Sequence, residues 1–325
     1  MKKQGKKIVT VQEAFQVWFE EYVNINTRTN TQKSYRGMIE KHIFPQLGDM
    51  EMSKLDARVL QKFINERRKC LKRSSLGKLL AIMRSCFSYA VNPCGFCKSN
   101  PAENVWLPRD IEEPGKEIHV FSSKDVAAIE KQYPPGHDYY VALHVCYYTG
   151  LRIGEALGLR WQDVNFEKRE LTVAGTMLEN GLRQSTPKTR SSYRTIPYGT
   201  QLQLLLQTEQ LRQMDVRQSV GNSRYNKGDY VCCRIESGKQ ICAPDFRFFN
   251  AWCKKNLGGG STHSLRHTHA TMLLEAGETM DAVSKRLGHS SIAITAKYYS
   301  HVTEKGKLRM RATLDNLFPP DNVTG

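Results

Sequence analysis

Apolar positions recur at a period near 3.6 over the first ninety residues, which predicts a run of short amphipathic helices. Ala14, Phe15, Trp18, Phe19 and Tyr22 fall on one helical face. Thr10 and Glu13 stand three apart just ahead of them, the spacing of a capping box. A second helix carries Tyr35, Ile39 and Ile43 and is expected to stop at Pro45 and Gly48. A third runs through Leu60, Phe63 and Ile64 into the basic cluster Arg67, Arg68, Lys69, Lys72 and Arg73. A fourth is expected from Ser75 to Ala90.

The pattern then breaks. Pro101, Pro108 and Pro114 crowd into a polar stretch containing Glu112-Glu113-Pro114-Gly115, the composition of a linker. The chain is therefore divided into a basic tail (1–8), a helical domain (9–105), a linker (106–118) and a second domain (119–325). In the second domain Ser123 is expected to cap a helix beginning at Lys124, and Tyr139 to Tyr148 reads as a buried helix closed by Gly150. Between Glu170 and Tyr198 the period changes to two. Leu171, Val173 and Thr176 alternate, Asn180-Gly181 is a hairpin signal, and Tyr193 to Tyr198 reads as a further strand. Helices are expected from there to the end. The fold class is thus two-domain: an all-α helical bundle, then a mixed α+β domain, mostly helical, with a small antiparallel three-stranded sheet.

Composition narrows the classes. The 325 residues are 40% hydrophobic and 25% charged, a globular balance. No apolar run approaches the ~18 residues of a membrane span, and the start (Lys2, Lys3, Lys6, Lys7) has no apolar stretch of a signal peptide. Nine cysteines, two of them adjacent at Cys232 and Cys233, argue against a secreted disulfide framework. The expectation is a reduced, cytoplasmic protein with no membrane partner. Cys94 and Cys97 have metal-ligand spacing without a second pair at zinc-finger distance, and read as a loop turn.

The charge points to a partner. Lys and Arg number 48 against 32 Asp and Glu, a net +16. Residues 1–110 carry +10 of it, as expected if the helical domain grips phosphates along a duplex. Candidate contacts there are Lys33, Arg36, Arg67, Arg68, Lys72, Arg73, Lys78 and Arg84, with Arg190 in the second domain. The competing reading is that basic helices merely carry solvated faces.

Four patches in the second domain could carry chemistry. Arg152 follows a helix-ending glycine in Thr149-Gly150-Leu151-Arg152-Ile153-Gly154-Glu155, where it is either a cleft residue or an ion-pair partner of Glu155. Lys188 lies in Thr186-Pro187-Lys188-Thr189-Arg190 at the turn between strands. The third patch is His263-Ser264-Leu265-Arg266-His267-Thr268-His269, and His289 in Leu287-Gly288-His289, followed by Tyr298-Tyr299-Ser300-His301, forms the fourth. His263 and His267, four apart, share a helix face as metal ligands do. No carboxylate accompanies them, and Arg266 between them would repel a cation, so no metal is expected.

Together the four patches resemble the tyrosine recombinase, or phage-type integrase, family over almost the whole chain. They look most like the integrases of Gram-positive phages and conjugative transposons. The resemblance implies that 9–105 is a SAM-like core-binding domain and 119–325 the catalytic domain with a C-terminal docking segment. It implies a catalytic set of Arg152, Lys188, His263, Arg266, His289 and Tyr299. Tyr299 is preferred to Tyr298 because Ser300-His301 supplies the x-His that follows the family's nucleophile, although the family also tolerates the spacing of Tyr298. The implied activity is site-specific recombination through a 3′-phosphotyrosyl intermediate and a Holliday junction, with no cofactor, neither metal nor ATP. The implied partners are double-stranded DNA attachment sites, three further copies of the chain in a homotetramer on DNA (a monomer when free), and excision or host DNA-bending factors. Leu308, Ala312, Leu314, Leu317 and Phe318 would form the docking helix. The family's larger members carry an arm-binding domain ahead of the core-binding region, where this sequence has only its short tail. Two alternatives share parts of this pattern: a catalytically idle DNA-binding protein of the same fold, and a type IB topoisomerase.

Overall fold

The computed structural model describes residues 8–108, 118–185, 193–220, 225–289, 291–299 and 303–317. In the last two helices it describes the backbone and only some of the side chains. The chain separates into two compact units, Met1–Gly115 and Lys116–Gly325. Among the described residues no helix is long and apolar enough to cross a membrane.

The first unit is helical. Helix α1 (Val11–Trp18) begins at the expected capping box. The Glu13 amide donates to the Thr10 hydroxyl at 3.2 Å, and the Thr10 amide donates to the Glu13 carboxylate at 2.8 Å. Val11, Ala14, Phe15 and Trp18 are buried. Helix α2 (Thr29–Met38) passes Pro45 and stops at Gly48, the second of its two expected stops. It continues through a π-helical turn, Ile39–Ile43, into a last turn, Phe44–Leu47. A proline inside a regular helix costs about 3 kcal/mol, through a lost hydrogen bond and a clash with the carbonyl four residues back. Here the Phe44 amide reaches back five residues to the Ile39 carbonyl, and that wider turn relieves the crowding. Helix α3 (Ala57–Arg67) is capped by Asp56, which accepts from the Val59 amide at 2.8 Å. Helix α4 (Arg73–Val91) is longer than expected at both ends, and Leu76, Leu80, Met83 and Phe87 bury its inner face. These side chains join Phe15, Trp18, Ile43, Leu60 and Ile64 in one core.

In the second unit, Ser122 rather than Ser123 caps α5 (Ser123–Gln132), with Asp125 completing a capping box. Helix α6 (Tyr140–Thr149) is buried along most of its length, packs on α10 (Thr262–Ala276), and ends at Gly150. A five-residue helix, α7 (Ile153–Leu157), follows.

The sheet region holds two ladders. Strands β1 (Val164–Asn165), β2 (Glu170–Val173) and β5 (Arg194–Pro197) form an antiparallel three-stranded sheet in the order β1-β2-β5. Leu171 pairs with Ile196, and both are buried. Thr176 does not extend β2. It belongs to β3 (Thr176–Met177), which pairs with β4 (Arg183–Gln184) around the Asn180-Gly181 turn.

Helix α8 (Thr200–Val220) comes next, but the helical run is not continuous after it. Residues 225–242 are irregular, pinned by bridges between Arg160 and Tyr230 and between Cys233 and Gln240. The buried Asn226 explains this departure. Its side-chain amide donates to the Tyr230 carbonyl and its oxygen accepts the Tyr230 amide, which folds a turn a helix cannot contain. Helices α9 (Arg247–Asn256), α10, α11 (Met280–Leu287), α12 (Ile292–Tyr299) and α13 (Thr303–Leu317) complete the chain. On α13, Leu308, Ala312, Leu314 and Leu317 are exposed; Phe318 lies outside the described residues.

Candidate active site

Gly150 sets the geometry. Its φ of +72° is left-handed, and a Cβ there would stand 2.7 Å from Leu287 Cδ2 and 2.8 Å from His269 Cδ2. Only glycine lets the end of α6 close this tightly on α10 and α11. The turn it makes delivers Arg152 as the cap residue of α7.

Arg152 bonds Glu155 twice, through its amide to Oε2 at 3.0 Å and through Nη1 to Oε1 at 2.9 Å. The ion-pair reading of Arg152 is therefore present in the structure. It does not retire the cleft reading, because the side chain keeps 42% of its surface exposed. Glu155 is 5% exposed and also takes Arg194 of β5, whose Nη2 lies 3.0 Å from Oε2. Burial works to raise the Glu155 carboxyl; Arg194 and then Arg152 outweigh it and hold the group below the usual carboxylate range. Two guanidiniums on one carboxylate leave the cluster net positive.

Arg266, on the first turns of α10, is 2% exposed. Its Nη1 donates to the Gly150 carbonyl and its Nη2 to the Leu287 carbonyl, each at 2.8 Å. Both acceptors sit at helix C-termini, where carbonyls lack helical partners and the dipole is negative, so they offset part of the cost of burying a cation. His263 lies one turn earlier on α10 and is exposed, its ring 4.8 Å from that of His267 and edge-on to it.

His289 enters from the other side. Gly288, with φ +68°, ends α11, and the His289 amide donates back to the Ser284 carbonyl at 3.1 Å. The His289 Nδ1 lies 2.8 Å from the hydroxyl of Thr295, which is fully buried on α12. Burial, and after it the charges of Arg266, Arg152, His267 and His263, push the His289 imidazole down to about 4. Those four groups are the ones the first and third sequence patches nominate, so the patches do meet around one point. Tyr299 is the last residue of α12; its side chain and that of Tyr298 lie outside the described residues, as do Lys188 and Arg190.

Three supporting residues were not singled out in the sequence, Arg194, Arg286 and Thr295, and a fourth, His269, closes the third patch. Arg194 had a readable signal, because it stands two residues before the buried Ile196 and so shares the inward face of β5. Its Nε donates to the Arg286 carbonyl at 2.7 Å. The Arg286 Nε in turn donates to His269 Nε2 at 2.9 Å, and its Nη1 to the Pro197 carbonyl at 2.8 Å. Burial and then Arg286 lower the His269 imidazole to about 3.

In the first unit Lys33, Arg36, Arg68 and Lys72 are exposed, with Arg36 stacked 4.6 Å over the Phe19 ring. Arg67 is half-buried against Phe63. Others among the candidate phosphate contacts are engaged inside the unit: Arg73 bonds the Pro108 carbonyl and Lys78 the Ser34 hydroxyl. Arg84 donates to the carbonyls of Ala102, Glu103 and Val105, a clamp on the loop that follows α4.

Guanidiniums and imidazoles gathered beside a helix that ends in tyrosine define a centre for handling a phosphodiester with side chains. The phage integrase family model matches residues 123–305, and the model of the phage integrase N-terminal SAM-like domain matches residues 10–67. The chain belongs to the phage integrase family and is a tyrosine recombinase, an enzyme that transfers DNA strands. It is 32% identical to a XerC-like tyrosine recombinase of Caldanaerobacter subterraneus subsp. tengcongensis, over 95% of this chain and 84% of that one. It is 25% identical to the ICEBs1 integrase of Bacillus subtilis, over 90% and 79%. Its fold is similar to that of the Tn1549 transposon integrase in complex with transposon right end DNA. The TM-score is 0.71, with 20% identity, over 95% of this chain and 99% of that one.

Proposed function

We propose that this recombinase acts through Tyr299, with Arg152 and Arg266 as the phosphate clamp and His263, His289 and Lys188 moving or donating protons. The observation that carries the reading is that Arg266 bonds the carbonyls of Gly150 and Leu287 and so ties together the two turns that bear Arg152 and His289. Attack by the Tyr299 oxygen on the scissile phosphorus forms a 3′-phosphotyrosyl bond and breaks the bond to the 5′ oxygen. One phosphoester replaces another, so the bond energy is kept for rejoining. The transition state carries added negative charge on its non-bridging oxygens. Guanidiniums bind such oxygens in pairs, and hydrogen bonds fixed beforehand are worth most there.

The protons follow from this. The tyrosine must lose one, which passes to His263, and the leaving 5′ oxygen must gain one, which Lys188 supplies. His289, neutral near pH 7, donates a hydrogen bond from Nε2 when the Thr295 hydroxyl donates to its Nδ1. A 5′-hydroxyl from the partner duplex then attacks the phosphotyrosine and releases the enzyme. Exchange of two duplexes cuts four strands through a Holliday junction and therefore needs four tyrosines. That supports a homotetramer on two attachment sites, assembled from monomers, with α13 as the docking segment. Excision or host DNA-bending factors would set direction. The substrate places the enzyme in the bacterial cytoplasm, on the nucleoid.

The domain division follows the same logic. Residues 9–105 hold the duplex and 119–325 cut it. Arg152→Lys tests the clamp: DNA binding stays near normal and cleavage falls steeply, because an ammonium cannot make the paired contacts. Unchanged cleavage removes Arg152 from the clamp.

A further inference from the structure

Glu155 poses a problem for the phosphate clamp. A buried carboxylate bonded to Arg152 would cancel the charge that Arg152 brings to the phosphate, because a one-to-one pair is neutral. The structure contains the remedy. Arg194 takes both oxygens of the same carboxylate, Nη2 to Oε2 at 3.0 Å and Nη1 to Oε1 at 3.4 Å. It approaches from β5, while Arg152 approaches from the start of α7. With only 8% of its side chain exposed, Arg194 sits behind the clamp, whereas Arg152 stands in front. Its Nε is tied to the Arg286 carbonyl, so the guanidinium plane is fixed at both edges.

Resting on the clamp reading above, we infer that Arg194 is a positioning residue: it shares the Glu155 carboxylate so that Arg152 stays both oriented and effectively cationic toward the scissile phosphate. Removing Arg194 leaves Glu155 to neutralise Arg152 alone. The rate then falls because the transition-state charge is under-compensated, while the phosphates bound elsewhere along the duplex are untouched.

The test exploits the charge of the phosphate. The full chain is given a suicide-nicked duplex bearing the junction sequence that flanks its gene, with either an ordinary scissile phosphate or an uncharged methylphosphonate at that position. On phosphate, Arg194→Met lowers cleavage by about 10- to 100-fold, the range that second-layer partners reach elsewhere, and Arg194→Lys keeps part of the rate. On methylphosphonate the loss, relative to the unaltered enzyme on the same substrate, shrinks to within about threefold, because little negative charge remains to be balanced. The slope of log affinity against log salt is unchanged, where loss of a direct phosphate contact would lower it by about 0.9.

Equal losses on the two substrates, for Met and Lys variants alike, would mean that Arg194 only supports the fold, and the inference falls. A reduced salt slope overturns it too, by making Arg194 a DNA contact. Arg152→Ala is the control for the underlying reading. If methylphosphonate does not relieve its defect, the clamp reading fails and takes the inference with it. If it relieves Arg152→Ala but not Arg194→Met, the inference alone is wrong.

Discussion

The 2.8 Å contact between His289 Nδ1 and the Thr295 hydroxyl joins the turn after Gly288 to the helix that ends at Tyr299. Thr295 is one helical turn before Tyr299, so a single hydrogen bond links the orientation of the imidazole to the element bearing the proposed nucleophile. Thr295→Val keeps the shape and removes the bond. We expect it to lower the cleavage rate by about tenfold, within the range of second-layer losses, while Thr295→Ser stays close to the unaltered rate. Single-turnover cleavage of a nicked attachment site measures both. Equal rates for Val and Ser would show that the hydroxyl has no part in catalysis.

Arg266 has a structural role beside the catalytic one proposed for it. Its donors satisfy the carbonyls of Gly150 and Leu287, and buried carbonyls left without a partner cost about 1–3 kcal/mol each. Arg266→Ala should therefore lower the thermal midpoint as well as abolish cleavage. Arg152 is half-exposed, and the Glu155 carboxylate it bonds also holds Arg194, so Arg152→Ala should abolish cleavage with a much smaller thermal shift. Thermal melts of the two variants side by side decide this.

Stability should fall in mild acid, and the sign follows from two histidines. His269 and His289 sit at about 3 and about 4 in the folded protein, against 6.5 when unfolded. Between pH 6.5 and 4 the unfolded chain binds more protons, so the stability they contribute is complete above 6.5 and is lost as pH falls. The steepest loss is about 1.4 kcal/mol per pH unit for each group. His269→Gln removes one of the two, and its unfolding free energy should depend more weakly on pH across this window. Denaturant titrations at several pH values measure the slope.

The basic residues of the first unit divide by what they already hold. Lys33→Ala or Lys72→Ala, both at exposed positions, should each lower the salt slope of DNA binding by about 0.9. Arg84→Ala should leave that slope alone and destabilise the unit, because its guanidinium clamps the carbonyls of Ala102, Glu103 and Val105. Binding isotherms over a range of salt, together with thermal melts, separate the two effects.

What the sequence made legible tracks how local the physics is. The capping box at Thr10 and Glu13, the closing glycine Gly150, and the Asn180-Gly181 turn are all decided within a few residues, and they stand where their spacing indicated. Pro45 misled because a π-helical turn, invisible to a 3.6-residue period, relieves it. The irregular 225–242 stretch hid because Asn226 draws its partners from Tyr230 and Gln213, a buried polar network that composition does not reveal.

The candidate site divides the same way. Arg152, His263, Arg266 and His289 sit in short motifs that read plainly, whereas the Arg194–Glu155 and Arg286–His269 pairs join residues far apart in the chain. Sequence order carries no direct trace of such partners. Only the inward phase of β5, set by Ile196, hinted that Arg194 pointed at the core rather than at DNA.

The proposed covalent bond between Tyr299 and DNA is open to direct measurement. The unaltered enzyme is incubated with a suicide-nicked duplex carrying the junction sequence that flanks its gene, and the products are resolved under denaturing conditions. The expected product is a denaturation-resistant protein–DNA adduct that Tyr299→Phe abolishes and Tyr298→Phe retains. An adduct that survives Tyr299→Phe, or none at all from the unaltered enzyme on that duplex, would contradict the proposed bond.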